Sequence, residues 1–198
     1  VSGLRVLFLG GTGVISSACA RVAVDSGIDL SVITRGQTRA RPLPAAARVL
    51  HGDARDPEQV RELVGHREFD AVVDWIAFTP EHMQADIDTF RGRAGQYVFI
   101  SSASAYQTPP ARLPIVESTP LRNPFWAYSR DKIACEDLLV RAYREEGFPA
   151  TIVRPSHTYD ATLVPLDGGW TALGRMRQGK PVVVHGDGTS LWLSLIHI

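Results

Sequence analysis

A chain of 198 residues, 44% of them hydrophobic, is long enough to bury one substantial core. Its 21 basic and 21 acidic residues cancel, so no global field draws it to nucleic acid, an anionic membrane or an acidic partner. The only two cysteines, Cys19 and Cys135, fall in helix-like stretches as buried thiols rather than a disulfide framework, and no apolar run approaches the ~20 residues of a membrane span, so a cytoplasmic protein is expected.

The first 155 residues alternate short β-branched runs with longer amphipathic ones. "LRVLFLG" (4–10) reads as a buried strand and "SSACARVAVDSG" (16–27) as a helix closed by a glycine. "LSVITR" (30–35) and "ARVLHGD" (47–53) are the second and third strands, and Asp56 caps a helix that Pro57 opens. "FDAVVDWIAF" (69–78) is a fourth strand, with Thr79 and Pro80 starting the next helix. "GQYVFISS" (95–102) is the fifth strand, residues 128–147 a long helix, and "ATIVRPS" (150–156) the sixth strand. This alternation predicts an α/β fold: a Rossmann-like doubly wound parallel sheet in the order 3-2-1-4-5-6.

Past Pro155 the pattern changes to a Gly, Pro and Asp cluster, a helix-like "TALGRMRQG" (171–179) and a strand-like "KPVVVHGDG" (180–188). A dinucleotide-binding domain over 1–159 and the opening of a substrate-binding lobe over 160–198 are expected. The last six residues, "LSLIHI", also resemble translated adapter read-through and are set apart as natural or foreign sequence.

The turn after the first strand, "GGTGVIS" (10–16), sits where a nucleotide-binding glycine turn belongs. Gly10, Gly11 and Gly13 permit the bend and the close approach of backbone to a pyrophosphate, with their amides and the helix N-terminus aimed at the phosphates. Ser16 stands where the last glycine is usual and adds one hydroxymethyl group, little more than a tolerated alanine. At the end of the second strand the chain reads Thr34-Arg35-Gly36, without the acid that would hold an adenosine ribose and repel a 2′-phosphate. Arg35 beside that gap favours NADP over NAD, the alternative being arginines that merely solvate a loop. Asp53 can accept from the adenine amino group or simply shape a turn.

Later, "SSASAY" (101–106) follows the fifth strand and "YSRDK" (128–132) opens the next helix. Tyr128 and Lys132, four apart, share a helical face. A free phenol titrates near 10, and a cation within ~4–6 Å favours the phenolate by about 1–3 pH units, so Lys132 is expected to lower Tyr128 toward neutrality. Ser102, at the carboxyl end of a strand, can hydrogen-bond a substrate oxygen.

With these residues in place the chain resembles an extended short-chain dehydrogenase/reductase of the NAD-dependent epimerase/dehydratase superfamily, from Gly10 to about Trp192. Within it, "GGTGVIS", "VVDWIAF", "RPSHTYD" and "GKPVVVHGDGTSLW" are similar to bacterial members related to the chloroplast stem-loop-binding proteins. The resemblance implies that Gly10, Gly13 and Ser16 form the glycine motif, Asp53 the adenine-contacting acid, and Ser102, Tyr128 and Lys132 the catalytic set. Lys132 would also hold the nicotinamide ribose, and Arg154 with Pro155 matches the Arg-Pro signature after the sixth strand. Gly10, Gly11, Thr12, Gly13, Val14, Ile15, Arg35, Asp53, Ala77, Tyr128, Lys132 and Arg154 are the expected cofactor contacts. The family further implies hydride transfer on a secondary alcohol or ketone, a nucleotide sugar as substrate, and a homodimer formed through helices that include the Tyr-Lys helix. The rival is a non-catalytic NAD(P)-binding or RNA-binding protein, which the neutral charge and the intact Ser/Tyr/Lys set disfavour.

The remaining signals are weaker. Six histidines, at 51, 66, 82, 157, 185 and 197, lack zinc spacing, so no metal is expected. His157 reads as packed under the sheet edge, with the substrate cleft as the alternative. Trp75 and Phe78 read equally as cofactor walls or core, and "HGDGTSLW" (185–192) as a turn rather than a phosphate cradle.

Overall fold

The computed structural model describes residues 3–184, 186–187 and 194–196. The chain divides into two compact units, Val1–Pro155 and Ser156–Ile198. In the first, β1 (Arg5–Leu9), α1 (Val14–Asp25), β2 (Asp29–Thr34), β3 (Arg48–His51), α2 (Pro57–Val64), β4 (Ala71–Asp74), α3 (Pro80–Phe90), β5 (Tyr97–Ile100), α4 (Ala127–Glu146) and β6 (Ala150–Val153) follow in order. All strands pair in parallel as β3-β2-β1-β4-β5-β6, the order the alternation predicts.

Alternate residues of each strand face opposite layers. Leu7 and Leu9 of β1 join Val72, Tyr97 and Phe99 under Val60 of α2, Met83 and Ile87 of α3, and Leu139 of α4. Val6 and Phe8 face the other way with Leu30 and Val32, against Ala20 and Ala23 of α1. The crossover makes β1 the switch point, with β2 on one side and β4 on the other, and the chain leaves β1 and β4 side by side at their carboxyl ends.

Helix boundaries follow local chemistry. Asp56 accepts from the amides of Glu58 at 3.0 Å and Gln59 at 3.3 Å, with Pro57 opening α2. Thr79 and Pro80 do the same for α3. Helix α4 stops at Gly147 (φ +70°), and Phe148 then donates its amide to Ala142 and buries its ring 5.3 Å from that of Tyr97.

Several boundaries shift from those expected, and three differences have a local physical cause. Helix α1 begins at Val14, not residue 16, so the glycine turn feeds directly into helical amides. Strand β4 stops at Asp74 rather than running to 78, because the Asp74 carboxylate captures the next amides. Residues 180–184 form no strand, and Pro181 lacks a ladder donor.

The second unit contains β7 (His157–Tyr159), α5 (Gly169–Arg177) and β8 (Ser194–Ile196), with β7 and β8 paired in parallel. His157 is exposed on β7 rather than packed beneath a sheet edge. Of "HGDGTSLW" only Gly186 and Asp187 are among the described residues, so the turn expected at 185–192 falls largely outside them. No helix among the described residues is long and apolar enough to cross a membrane.

Candidate active site

The glycine turn is tight for a packing reason. Gly10 adopts φ +82°, and a Cβ there would lie 2.8 Å from Ile76 Cγ2. A Cβ on Gly11 would stand 2.4 Å from Val32 Cγ1, so β2 and the segment that follows β4 close on this turn. Two of the expected phosphate-facing amides are committed elsewhere: Gly10 N–H donates to Ile33 O at 3.0 Å and Gly13 N–H to Ser16 Oγ at 2.9 Å. Ser16 is therefore more than a small residue in place of glycine; buried, its hydroxyl caps the helix entry. The amides of Val14 and Ile15 open α1, whose first turn carries no acid, so an anion there meets the positive helix end without repulsion. Thr12 and Gly13 flank this opening, half-buried and exposed.

At the end of β2, Arg35 faces Asp53 with 3.9 Å between charged atoms, the arginine largely exposed and the aspartate half-buried. Asp53 also accepts the Arg55 amide at 3.0 Å, so it shapes the turn into α2. Between α2 and α3 lies a cleft of about 220 Å³, lined among others by Ala54, Arg55, Ala77, His82 and Asp86. Burial lowers the pKa of His82 below its usual value, and its Nδ1 accepts the Phe78 amide at 3.4 Å.

Beyond β5, Ser102 Oγ accepts the Ser104 amide at 3.2 Å and lies 2.9 Å from Ser104 Oγ, which receives the Ser129 hydroxyl at 2.9 Å. Asn123 closes this ladder: its amide donates to Ser104 O at 2.9 Å, and its oxygen accepts from Phe125 and Trp126 at 3.1 and 3.3 Å. The approach to α4 is thereby fixed, and Tyr128 enters on the first helical turn. Its ring packs 4.7 Å from Trp126 and 6.1 Å from Phe78, and its phenol hydrogen-bonds Ser102. Trp75, by contrast, leaves the site for the opposite layer, edge-on to Phe8 at 5.2 Å.

Lys132 is one turn further and only 1% exposed. Its ammonium donates to Ala77 O at 2.6 Å and Ile100 O at 2.8 Å, 5.8 Å from the centroid of the Tyr128 ring. The pair thus shares a face, as the spacing requires. The expected electrostatic effect does not follow: burial raises the Tyr128 phenol above its ordinary value, with only the Ser102 hydrogen bond working against the rise. The lysine itself is held down to about 8 by burial, partly offset by Asp74. Its charge is spent on two carbonyls before it reaches the phenol.

Ala77, an expected cofactor contact, is 2% exposed, and its carbonyl serves Lys132. Arg154 braces the other side: its guanidinium grips the buried Glu136 through Nε (2.9 Å) and Nη2 (2.5 Å) and donates to the Tyr106 hydroxyl at 3.0 Å. Ser101 completes the brace with a 2.5 Å bond to Glu136. Asn123, Ser104, Ser129, Glu136 and Asp74 were missed from sequence. An acid inside the apolar run "VVDWIAF" was the one available signal, since a buried carboxylate needs a partner. Cys135 is buried as expected; Cys19 is only half-buried, and neither forms a disulfide.

Residues 6–197 match the profile of the NAD dependent epimerase/dehydratase family. The chain belongs to this family. A 2'-dehydrokanamycin reductase of Streptomyces kanamyceticus is 30% identical over 98% of this chain and 54% of its own length. A UDP-glucose 4-epimerase of Lactobacillus helveticus is 27% identical over 76% and 51%. The chloroplast stem-loop binding protein of 41 kDa b of Arabidopsis thaliana is 25% identical over 94% and 50%. The chain thus spans about half the length of these curated relatives. Among solved structures, the dTDP-glucose 4,6-dehydratase of Bacillus anthracis in complex with NAD superposes with a TM-score of 0.81 at 18% identity, over 98% of this chain and 68% of that one, which places the fold.

Proposed function

We propose that this member of the NAD dependent epimerase/dehydratase family carries the nucleotide-binding and acid/base half of an NAD(P)-dependent enzyme that oxidises or reduces a secondary alcohol or ketone, with a nucleotide sugar as substrate. The observation that carries the reading is the convergence of Ser102, Tyr128 and Lys132 at the carboxyl ends of β4 and β5, where open α/β sheets bind ligands. The UDP-glucose 4-epimerase relative favours the sugar nucleotide.

The helix opening at Thr12, Gly13, Val14 and Ile15, behind the Gly10–Gly11 bend, would hold a pyrophosphate. Asp53 and Ala77 flank the adenosine side, and Arg154 supports the substrate wall through Glu136. A nicotinamide bound there supplies or accepts the hydride. Tyr128 donates its phenol proton to the substrate oxygen in reduction and recovers it in oxidation, while Ser102 holds the same oxygen. The raised phenol keeps Tyr128 in its protonated form in the cofactor-free chain, holding the proton more tightly than a free tyrosine does. Lys132 holds the site wall through two carbonyls and remains the nearby cation.

NADP is the cofactor the reading favours. A 2′-phosphate would meet Arg35, whose present partner Asp53 is partly exposed and 3.9 Å away, a contact worth about 0–1 kcal/mol. A doubly charged phosphate displaces so weak a partner. The two free cysteines fit a reducing, cytoplasmic compartment. Half-exposed Ile133 and Val140, two turns apart on α4, fit a homodimer face. The test is oxidation of a panel of UDP- and dTDP-hexoses, followed by cofactor absorbance. Tyr128→Phe should lower turnover at least 10²-fold; turnover equal to the parent chain's would refute the assignment.

A further inference from the structure

The acid that ends β4 takes no part in the proton transfer at Tyr128. Asp74 is fully buried, and its Oδ1 accepts the amides of Ile76 at 2.8 Å and Ala77 at 2.9 Å. Its Oδ2 lies 3.0 Å from the Tyr97 hydroxyl, and the same hydroxyl lies 2.8 Å from Oδ2 of Asp86 on α3. Two oxygen-to-oxygen contacts at one phenol require two protons, and the phenol brings one. With both acids ionised, one contact would be an unrelieved repulsion inside the core. Asp74 Oδ1 is already occupied by two N–H donors, so the second proton is assigned to Asp86. Burial and the Asp74 charge push the Asp86 carboxyl in that same direction, well above the ordinary range. The chain of donors therefore runs from Asp86 through Tyr97 to Asp74.

The anchored turn ends at Lys132. Ala77 gives its amide to Asp74 and its carbonyl to the ammonium, so one residue bridges the anion and the cation. Of the other groups around Lys132, Glu136 is neutralised by Arg154, the Cys135 thiol is pushed up to about 12, Tyr128 is a neutral phenol, and Arg55, stacked on Phe78, repels. Asp74 is the carboxylate left to balance the lysine. Glu81, His82 and Arg55 share with Asp86 the cleft between α2 and α3.

We propose that Asp74 is the positioning residue of Lys132: it pins both amides of the Ile76–Ala77 turn, keeps the Ala77 carbonyl under the ammonium and supplies its counter-charge, while Asp86, protonated and relayed through Tyr97, leaves that charge single. This rests on the assignment of Lys132 to the active site, yet its test needs no activity.

The chain has two lysines, Lys132 and Lys180. Labelling lysine with ¹³C at Cε gives two titration curves in the cofactor-free chain, Lys180 serving as internal control. In Asp74→Asn the amide can still accept at Oδ1 and donate to Tyr97, which turns toward an ionised Asp86, so the bond chain reverses and the fold is retained. The Lys132 midpoint should then fall by about one pH unit, with the Ile76 and Ala77 amide resonances displaced and Lys180 unmoved. Asp86→Asn copies the neutral acid and should leave the Lys132 midpoint near 8. An unchanged Lys132 midpoint in Asp74→Asn, or an equal fall in Asp86→Asn, overturns the proposal.

Should Asp74→Asn fail to fold, urea unfolding of Asp86→Asn decides. A carboxyl raised above its unfolded value of 3.8 binds more protons in the native state, so the parent chain loses stability as pH climbs above about 4. Asp86→Asn escapes that loss and should gain on the parent between pH 4 and 8; parallel profiles would place the proton elsewhere and sink the proposal. A chain that binds no nicotinamide cofactor would refute the functional reading and leave these titrations standing.

Discussion

Replacing Lys132 by methionine tests the energetics of the site through the pH dependence of folding. The ammonium sits at about 8 in the folded chain against 10.5 for an ordinary lysine. Below pH 8 both native and unfolded chains hold the proton, and the folded state bears the full cost of the buried charge. Between the two values the unfolded state binds more protons, so stability rises with pH. At about 1.36 kcal/mol per pH unit, this gap amounts to about 3 kcal/mol. The neutral amine retains two N–H donors for the two carbonyls, so deprotonation relieves the charge without breaking the bonds. Methionine removes both, and each orphaned carbonyl costs about 1–3 kcal/mol. At pH 7 these losses and the relieved charge nearly cancel, which makes the absolute stability of Lys132→Met uninformative and the slope decisive. Urea unfolding from pH 7 to 10 should show the parent chain gaining about 2.5 kcal/mol on Lys132→Met, most of the full gap. Cys135 and the tyrosines titrate in both and largely drop out of the difference. Parallel curves would mean that the ammonium is not buried as described.

Three further outcomes follow from the geometry. Glu136→Gln strips Arg154 of its counter-charge but leaves one acceptor and the Tyr106 ring; with Arg154 19% exposed, the cost should be about 2–3 kcal/mol, read as a fall in Tm of about 5–10 °C by calorimetry. Gly11→Ala drives a methyl into Val32 and should cost about 1–3 kcal/mol in urea unfolding, with cofactor affinity lost alongside. Arg35→Ala should weaken NADP binding about tenfold in calorimetric titration, as one charge-assisted contact allows, and leave NAD binding unchanged.

Sheet order, helix caps and the Tyr128–Lys132 face were legible because each rests on local spacing. A strand, a glycine turn and a helix are contiguous, Asp56 and Thr79 act within three residues, and a four-residue separation fixes a helical face. The polar interior was not legible. Lys132 reaches carbonyls 55 and 32 positions away, and Tyr97 joins acids 23 and 11 positions behind it, on a strand and a helix that meet only in the folded sheet. Spacing thus gave the proximity of Lys132 to Tyr128 but not its consequence, because the carbonyls that compete for the ammonium belong to β5 and to the turn after β4. Ser16 shows the same limit on a smaller scale: its size could be judged from sequence, its capping of Gly13 only from the turn.

The central claim is that Tyr128 is the proton-transfer group beside a nicotinamide site. It is tested most directly by the near-ultraviolet phenolate titration of Tyr128, taken as the parent chain minus Tyr128→Phe, without and with saturating oxidised NADP. Burial predicts a midpoint above 10 in the cofactor-free chain, falling when the cofactor's positive ring is bound nearby. A Tyr128 midpoint that saturating cofactor leaves in place would contradict the account.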